Sequence, residues 1–481
     1  MSSVDDETYD PISVFFEPKS VAIVGATGDR SKLGWHIVEN FLLNYPGALF
    51  LINPKGGEIE GRKVYNNLRD VPSPIDLVVM AIPAKFVIKA VEDAVAKDVK
   101  AIVIESGGFA EVSKEGRRMQ EKIVELAHTK SIRIVGPNCI GILSPSDGVD
   151  TIFIPLERVA RPGSGNIAMM TQSGALGSAV LSAFTMEGDG RWISRFVSFG
   201  NASDVNEYDL LDYFGRDEKT KVILSHLEGF KNGKKFIEKA REIARKKPIV
   251  LLKAGRTSLG AKASESHSGS VASNDSVVSA LLKQNGIIRV NQFDEMINLA
   301  KTLEKQPIPR GNKVGIVTDG GGFAVMASDA VEHEGLALGQ LSKKTISGFK
   351  ARYPPYYISN NPLDLTGMVT AEELMFGVEQ FCLDPNIDSI ILIIIPSAPQ
   401  FVVKDFLDLM TDFMTRTKPF NEESASKPIL SISVGGEESK IINSKFDKLD
   451  IPTFATVEEA MKMLKYLVEY RDFLKREERM S

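Results

Sequence analysis

Short apolar runs alternate with helix-length segments along the whole chain. In the first third they are Ser20–Gly25, Ala48–Ile52, Asp76–Ile82, Ala101–Glu105 and Ile132–Gly136. Runs of this length, separated by segments long enough for a helix, predict strand–helix–strand units and a parallel sheet. The chain is therefore expected to begin with an α/β domain of the Rossmann type.

One segment of the sequence recurs further along the chain. Gly165–Ala175 corresponds to Gly311–Gly322, which is one residue longer, and Thr171 matches Thr318 at an offset of 147 residues. Each copy reads as a strand, a glycine-rich turn and a helix, so the repeat predicts two related α/β domains. A length of 481 residues fits about three domains. The expected domains are residues 1–150, 151–306 and 307–481.

Both copies place small residues where a helix begins. Ser173 and Gly174 do so in the first copy, and Gly321 and Gly322 in the second. Free amide groups and the helix dipole attract anions at such positions. If the two domains pack face to face, both helix ends would converge on one phosphate. The alternative is that these glycines serve only close packing of helix on strand.

The turn after the first predicted strand suits a nucleotide phosphate. Gly25–Gly28 lets backbone amides approach a phosphate at a helix start. It lacks the Gly-x-Gly-x-x-Gly spacing, and the second strand is followed by Lys55 where NAD binding needs a carboxylate. Lys55, with Arg30 and Lys32, instead suits a more phosphorylated adenine nucleotide such as coenzyme A. The alternative is a lysine that is merely solvated on a loop.

Two further turns follow strands of the first domain. They are Ile104–Phe109, which contains Glu105, and Gly136–Gly141, which contains Asn138 and Cys139. Both turns are expected at the carboxyl edge of the sheet, where such folds bind ligands. Cys139 has no base near it in sequence, which favours a small buried residue over a thiol nucleophile.

A single histidine, His267, lies within the small polar segment Ser264–Ser273. Such a segment buries little, so we expect a mobile loop. Imidazole can act as a nucleophile and carry a phosphoryl group. Glu228 follows a predicted strand and should reach the same sheet edge, where its carboxylate would orient the ring. The alternatives are a bystander histidine and a plain surface carboxylate.

Composition excludes several other classes of protein. A net charge of −5 without a basic run argues against nucleic-acid binding. Cys139 and Cys382 are too few for a disulfide framework or a cysteine-based zinc site, and no metal site is expected in this chain. The longest apolar run, Ser389–Pro396, has the length of a buried strand and cannot span a bilayer. The start of the chain is acidic and polar, unlike a secretion signal, so a cytoplasmic protein with no membrane partner is expected.

Several motifs together resemble one family. They are Gly-Pro-Asn-Cys-Ile-Gly, Thr-Gln-Ser-Gly-Ala-Leu-Gly, Ser-Phe-Gly-Asn, Leu-Glu-Gly, Ser-His-Ser-Gly and Asn-Pro-Leu-Asp-Leu-Thr-Gly. Because these motifs occur together and in this order, the chain resembles the α subunits of ADP-forming acyl-CoA synthetases of the archaeal acetate–CoA ligase type. That family is related to the succinate–CoA ligases. The resemblance covers nearly the whole chain. It implies a Rossmann-like CoA-binding domain followed by two flavodoxin-like, doubly wound parallel-sheet domains.

The resemblance also implies a role for each candidate residue. His267 would be the phosphorylated histidine and Glu228 its stabilising carboxylate. Phosphate would be held at Ser173, Gly174, Gly321 and Gly322. The CoA nucleotide would be held by Gly25, Thr27, Gly28, Arg30 and Lys55, while Pro83, Glu105 and Asn138 would line the path of its arm. Ser268 stands where the family often has threonine, a small departure.

The reaction that the resemblance implies has three transfers. Phosphate attacks an acyl-CoA thioester, His267 takes the phosphoryl group from the acyl phosphate, and ADP receives it. This chain shows neither a Walker A motif nor an ATP-grasp segment. The resemblance therefore implies an ATP-grasp β subunit that binds ADP or ATP with Mg²⁺, in an α2β2 assembly. The alternatives are a succinate–CoA ligase α subunit, which would lack the third domain, and a non-catalytic CoA-binding regulatory protein.

Overall fold

The structure is a computed structural model that describes residues 10–186, 188, 190–268, 274–417 and 427–480, without the side chains of residues 264–268 and 417. Within these ranges every helix is too short or too polar to cross a membrane.

The first sheet has the strand order of a Rossmann fold. Its elements are α1 (Ser13–Phe16), β1 (Ser20–Val24), α2 (Leu33–Asn44), β2 (Ala48–Ile52), β3 (Glu58–Ile59), β4 (Arg62–Tyr65), β5 (Leu77–Met80), α3 (Val87–Ala96), β6 (Ala101–Ile104), α4 (Lys114–His128) and β7 (Arg133–Val135). The strands lie in the order β3-β4-β2-β1-β5-β6-β7, parallel except for the β3–β4 pair. When β3 is set aside and the other six strands are renumbered along the chain, the order becomes 3-2-1-4-5-6, as in a Rossmann fold. The order reverses between β1 and β5, which is the place where such folds bind ligands.

The second sheet has a flavodoxin-like centre. Its elements are β8 (Gly141–Ser144), β9 (Val149–Asp150), β10 (Gly163–Thr171), α5 (Gly174–Met186), β11 (Arg191–Ser198), α6 (Glu207–Arg216), β12 (Val222–Leu227), α7 (Gly233–Ala244), β13 (Ile249–Lys253), α8 (Ser258–Ser268), α9 (Asp275–Gln284) and β14 (Ile287–Val290). The order is β14-β13-β12-β10-β11-β8-β9, with β8 and β9 antiparallel additions at one edge. When β10 to β14 are renumbered 1 to 5, these parallel strands lie in the order 2-1-3-4-5, as in flavodoxin. The strand order reverses between β10 and β12.

The third sheet repeats that order. Its elements are α10 (Phe293–Lys305), β15 (Lys313–Thr318), α11 (Gly321–His333), β16 (Ala337–Leu338), α12 (Lys343–Arg352), β17 (Ile358–Ser359), β18 (Leu363–Asp364), α13 (Ala371–Leu383), β19 (Ser389–Ile394), α14 (Val403–Thr417), β20 (Ile429–Ser433), α15 (Gly436–Lys448), β21 (Thr453–Phe454) and α16 (Val457–Met480). The order is β17-β18-β15-β19-β20-β21, with β16 on β15. The predicted fold class, a Rossmann-like domain and two flavodoxin-like domains, is confirmed.

The apolar core of each domain lies between its sheet and the covering helices. In the first domain, Val78 and Ile102 point from the strands towards Val91 and Ile123 on helices. Strands β1, β5 and β6 are buried along their whole length. Parallel strands covered on both faces are expected to be continuously apolar, and this is why the sequence pattern marks them clearly.

Contacts divide the chain into two compact units, Met1–Asn291 and Gln292–Ser481. The first unit holds the first two sheets. The sequence-based boundaries differ from the observed elements at two places. β8 and β9 pair in the second sheet, although the sequence places them before residue 150, because no helix separates β7 from β8. α10 lies in the second unit, although the sequence places it before residue 306, because it packs on α16.

Candidate active site

A cavity of about 1030 Å³ opens at the carboxyl edges of the first two sheets, within the first unit. Its walls come from the turns after β1, β2, β5, β6 and β7 and from the start of α5. The residues predicted from the sequence that line it are Gly25, Thr27, Lys55, Pro83, Glu105, Asn138, Ser173 and Gly174. The cavity therefore joins the predicted nucleotide cradle to the first predicted phosphate-binding helix end.

The turn after β1 is shaped by a glycine that no other residue can replace easily. Gly25 has a φ of 99°, and a Cβ atom there would lie 2.5 Å from the carbonyl oxygen of Ala81. Asn53 donates from Nδ2 to the carbonyl oxygen of Ala26 at 2.9 Å and accepts from the backbone N–H of Lys55 at 3.0 Å. The backbone of Lys55 is thus fixed at the edge of the cavity, where its ammonium group can meet a phosphate.

Two predicted nucleotide-binding residues, Gly28 and Arg30, are not among the residues that line the cavity. The Arg30 guanidinium lies over the ring of Trp35, 5.1 Å from its centroid, and 4.0 Å from Glu60 Oε1. Its side chain is largely exposed. A role for Gly28 and Arg30 in nucleotide binding stays a prediction.

The turn from β10 into α5 is stabilised by hydroxyl groups. The backbone N–H of Ser173 donates to Thr171 Oγ1 at 3.0 Å. Ser173 caps α5, since its Oγ accepts from the N–H of Leu176 at 3.3 Å. The first amide groups of α5, beginning at Gly174, therefore face the cavity from a well-ordered helix end, which is the arrangement that binds anions.

A buried histidine supports this turn from the neighbouring strand. His226 Nδ1 lies 3.2 Å from Thr171 Oγ1, and the two residues are paired across β10 and β12. Burial, together with the charge of Lys253, lowers the pKa of His226 to about 4, against the opposing effect of Glu228. The ring is therefore neutral at pH 7 and acts as a hydrogen-bonding support.

Glu228 lies at the same sheet edge as the α5 turn, as predicted. Gln172 Oε1 accepts from the N–H groups of Glu228, at 2.5 Å, and Gly229, at 3.1 Å. From the other side, Lys253 Nζ donates to the carbonyl oxygen of Glu228 at 2.7 Å and to that of Ala254. The backbone that carries the Glu228 carboxyl group is thus tied to the phosphate turn and to the end of β13.

The predicted loop around His267 is partly wrong. The backbone of Ser258–Ser268 forms helix α8, so His267 sits on a helix near its end. The sequence misleads because small polar residues read as a loop, whereas alanine and glutamate in Ala261–Glu265 also permit a helix. The His267 side chain and residues 269–273 lie outside the described part of the chain. The pairing of His267 with Glu228 stays a prediction.

Glu105 is a buried carboxyl group in the wall of the cavity. It is 7% exposed. Within the part of the chain that the structure describes, neither carboxyl oxygen has a hydrogen-bond partner of good geometry. Burial raises the pKa of Glu105 well above its ordinary value, although the Thr151 hydroxyl opposes the rise, and the charge of Asp150 adds a smaller increase. The surroundings therefore favour the protonated form of this carboxyl group.

The neighbouring turn places Asn138 and Cys139 in the same wall. Asn138 has a φ of 61°, and its N–H donates to the carbonyl oxygen of Ser106 at 2.9 Å. Burial raises the pKa of the Cys139 thiol. A thiol with a raised pKa is a poor nucleophile, so the structure favours a small buried residue at this position.

The second repeat builds a different helix start. The backbone N–H of Ile395 donates to both carboxylate oxygens of Asp319, at 2.9 and 3.2 Å. Burial raises the pKa of Asp319 to about 7, and the charge of Asp364 adds to this. A Cβ atom on Gly321 would lie 2.7 Å from Asp364 Oδ2. Acidic groups thus flank Gly321 and Gly322. The phosphate-binding role of these two glycines stays a prediction, and so does the convergence of the α5 and α11 helix starts on one phosphate.

Comparison with known proteins identifies the family. Residues 19–145 match the model of a CoA binding domain, residues 164–303 that of a succinyl-CoA ligase like flavodoxin domain, and residues 314–464 that of a Ligase-CoA domain. The alpha subunit of acetate–CoA ligase [ADP-forming] I from Pyrococcus furiosus is 37% identical over 464 residues, which cover 95% of this chain and 97% of the relative. This chain belongs to the ADP-forming acetate–CoA ligase family.

Other members of the family agree in sequence and in fold. An acetate–CoA ligase [ADP-forming] from Methanocaldococcus jannaschii is 36% identical over 453 residues, which cover 94% of this chain but 62% of that longer protein. An acetyl-coenzyme A synthetase from Candidatus Korarchaeum cryptofilum, solved in complex with phosphate and ADP, superposes with a TM-score of 0.89 at 31% identity, covering 97% of this chain and 98% of that one. The resemblance noted in the sequence is confirmed.

The sequence analysis did not predict some of the residues that line the cavity or support it. Gln172 stands in a motif that the sequence marks, but its link to Glu228 depends on the pairing of β10 with β12. Ser31 and Phe153 also line the cavity, and no local pattern distinguishes them. Within the described ranges, no group of three or more histidine, cysteine, aspartate or glutamate side chains is arranged to hold a metal ion.

Proposed function

We propose that this chain is the alpha subunit of an ADP-forming acetate–CoA ligase. The enzyme would convert acyl-CoA, phosphate and ADP into the free acid, CoA and ATP, reversibly, through an acyl phosphate and a phosphohistidine. The observation that carries the proposal is the single cavity in which the nucleotide cradle of the first sheet meets the α5 helix end of the second. A thioester and a phosphate must meet in one place for the first step, and this cavity offers both binding elements.

The chemistry of the first step depends on positioning and charge. Gly25 and Thr27 would hold the CoA nucleotide by backbone and hydroxyl contacts, with Lys55 beside a phosphate. Phosphate would bind at Ser173 and Gly174, where helix amides neutralise part of its charge. Holding both reactants in attack geometry replaces a bimolecular encounter by an effectively unimolecular step.

The second step would transfer the phosphoryl group from the acyl phosphate to His267. Glu228 would accept a proton from the other ring nitrogen and stabilise the charge that develops on the imidazole. The ties from Gln172 and Lys253 to the Glu228 backbone support this role, since they hold that residue beside the phosphate turn.

The third step requires a partner. We assign the transfer between His267 and ADP to an ATP-grasp β subunit that binds the nucleotide with Mg²⁺, in an α2β2 assembly in the cytoplasm. Two observations support the division. The relative that this chain covers almost completely is named an alpha subunit, and the M. jannaschii ligase is longer than the region that matches.

The test is to incubate the purified chain with acetyl-CoA and phosphate and to measure its intact mass. We expect an acid-labile phosphoryl adduct that maps to His267 and is absent from His267→Asn. His333→Asn is the matched control, because His333 is an exposed histidine in the second unit. ADP should be phosphorylated only after the β subunit is added.

Three results would count against the proposal. Phosphate on another residue would remove His267 from the mechanism, and ATP formation by this chain alone would refute the division between subunits. Absence of any adduct, with CoA still bound, would favour the CoA-binding regulatory protein. A strong preference for succinyl-CoA would favour a succinate–CoA ligase subunit.

Recognition of CoA can be tested separately through its 3′-phosphate. Lys55→Ala should weaken CoA binding about tenfold, the size expected for loss of one charge-assisted contact. It should leave the affinity for 3′-dephospho-CoA unchanged, as measured by calorimetry. Lys122→Ala is the comparison, since Lys122 is an exposed lysine on α4 that does not line the cavity, and it should change both affinities little. Equal losses with both ligands would show that Lys55 does not contact the 3′-phosphate.

A further inference from the structure

The wall of the cavity changes character between the nucleotide cradle and the α5 helix end. The basic side chains among the described residues of the wall are Lys32 and Lys55, which both come from turns of the first sheet. From residue 138 onward the described wall has no charged side chain, and its apolar side chains are Ile140, Phe153 and Ala175. Beside the amide groups of α5, this part of the cavity therefore suits an uncharged, apolar group.

Ile140 packs directly against the start of α5. A Cβ atom on Gly174 would lie 2.7 Å from Ile140 Cγ2, and one on Gly177 would lie 3.4 Å from Ile140 Cδ1. Ile140 is 8% exposed and lines the cavity. A β-branched side chain has few rotamers, so this apolar surface is held in place beside the first turn of the helix.

Phe153 reaches the cavity from the other side of the β8–β9 hairpin. The two strands pair antiparallel, and the pairing continues to Ile142, whose carbonyl oxygen accepts from the N–H of Thr151 at 2.9 Å. Two residues further on, the same register sets Ile140 opposite Phe153. Phe153 is half-buried and lines the cavity as Ile140 does. The end of one hairpin thus brings two large apolar side chains to the same wall.

The proposed reaction places the acyl group beside this wall. Phosphate bound at Ser173 and Gly174 must approach the thioester carbonyl carbon to about 3–3.5 Å before it attacks. The rest of the acyl group is attached to that carbon, so it lies within a few bond lengths of the α5 start. Ile140 is the large apolar side chain that contacts this helix start from the cavity wall.

We propose that Ile140 and Phe153 form the acyl-binding wall of the enzyme, which limits the length of the acyl group and selects acyl groups without a charged end. This inference rests on the proposed function and deepens it, because it names the class of substrate and the residues that select it. A second carboxylate on the acyl group would face apolar side chains with no cation among the described residues beside them, and burying a charge in this way is unfavourable.

The test measures acyl-group preference in the complete enzyme with its β subunit. The readout is kcat/KM for release of CoA thiol, in the presence of phosphate and ADP, from acetyl-CoA, butyryl-CoA and succinyl-CoA. Ile140→Ala and Phe153→Ala both enlarge the space for the acyl group. We expect each to raise the ratio of butyryl-CoA to acetyl-CoA at least about tenfold, since one methylene in an apolar pocket changes selectivity about 10–200-fold. Neither should gain activity on succinyl-CoA, which has the chain length of butyryl-CoA but a charged end.

Leu143→Ala is the matched control. Leu143 is a buried apolar residue on β8, in the same hairpin, and it does not line this cavity. The substitution removes apolar volume and lowers stability as truncation of a core residue does. It should leave the ratio of butyryl-CoA to acetyl-CoA at the wild-type value. CoA binding by calorimetry confirms that each variant is folded.

Every other outcome overturns the inference. An unchanged ratio in Ile140→Ala or Phe153→Ala would remove that residue from the wall, and an equal loss with both acyl groups would indicate a structural role. A similar rise in Leu143→Ala would show that any loosening of the hairpin has this effect. An equal gain on succinyl-CoA would contradict selection against charge. If wild-type enzyme releases no CoA from acetyl-CoA, the proposed function itself fails, and this result is distinct from any effect of the substitutions.

Discussion

Gln172 connects two residues of the candidate site that are far apart in sequence. Its side-chain oxygen accepts from the N–H groups of Glu228 and Gly229 while its backbone follows Thr171. Gln172→Met removes the acceptor at nearly constant volume and leaves two amides unsatisfied. We expect phosphorylation of His267 from acetyl-CoA to slow at least about tenfold, because small displacements of positioned groups have large effects on rate. Rapid-quench measurement of the phosphoryl adduct gives that rate.

Gln120→Met is the matched control for this substitution. Gln120 Oε1 accepts a single hydrogen bond from Asn201 and does not line the cavity. The control should form phosphohistidine at the wild-type rate. Equal rates for the two variants would show that Gln172 does not position Glu228.

Asp319 predicts a pH dependence of stability in the second unit. Its pKa is about 7 in the folded protein against an ordinary 3.8, so the folded state holds a proton that the unfolded chain releases. Its contribution to stability is therefore complete below about pH 4 and is lost as pH rises through 7. Asp319→Asn should reduce the loss of stability between pH 5 and 8 by one to a few kcal/mol, since one pKa unit corresponds to about 1.4 kcal/mol.

Urea unfolding of the Asp319 variant at both pH values measures this effect. Asp329→Asn is the comparison, because Asp329 is exposed on α11, the helix that follows Asp319. If wild type and Asp319→Asn lose stability in parallel between pH 5 and 8, Asp319 does not carry a raised pKa.

At the scale of residues, sequence reasoning succeeds where a side chain directly follows a buried strand. Lys55 and Glu105 follow β2 and β6, so their place at the ligand-binding edge could be predicted. The raised pKa of Glu105 could not, because it results from burial in the folded protein, with a further rise from Asp150 on β9 of the second sheet. Local pattern encodes position along a strand, but the electrostatic surroundings depend on the tertiary fold.

At the scale of elements, the close approach of α5 to its sheet depends on Gly177. A Cβ atom there would lie 2.8 Å from Phe196 Cζ and 3.1 Å from Thr171 Cγ2. Gly177→Ala should therefore lower the free energy of unfolding by about 1–3 kcal/mol, as overpacking does. Because Thr171 accepts from the N–H of Ser173, the same change should weaken phosphate binding. Thermal unfolding and phosphate titration measure the two effects.

Gly348→Ala on α12 is the matched control. A Cβ atom there would meet only Gln380 Oε1, at 3.7 Å. Helix propensity should then dominate, and the variant should be more stable by about 0.5–1 kcal/mol. A stabilising effect of Gly177→Ala would show that α5 does not need a glycine to pack.

Some helices carry a start signal in their local sequence. The α6 helix begins with a capping box of Asn206 and Asp209, and α13 with one of Thr370 and Glu373. Helix α8 follows a capping threonine, since Thr257 Oγ1 accepts from the N–H of Gly260 at 3.1 Å, but its serine-rich second half reads as a loop. Weak propensity leaves the outcome to tertiary contacts, which sequence pattern does not contain.

At the scale of the whole molecule, the repeat predicts sheets better than it predicts boundaries. Thr171 and Thr318 end equivalent strands, β10 and β15, in sheets of the same 2-1-3-4-5 order. The connections between the domains carry no such symmetry. β8 and β9 extend the second sheet, and α10 belongs to the second unit because its buried face packs on α16.

The division into two units predicts how the chain can be shortened. A fragment Met1–Asn291 contains every residue that lines the cavity, so it should fold and bind CoA within about threefold of the full-length affinity. A fragment ending at residue 306 would add α10 without α16, and would expose Met296, Leu299 and Leu303, which are buried in the intact chain. Exposed apolar surface of this kind promotes association.

Calorimetry with CoA and size-exclusion chromatography test both expectations. The shorter fragment should be monomeric and bind CoA, and the longer fragment should aggregate. Folding of the longer fragment alone would place α10 in the first unit and refute the observed division.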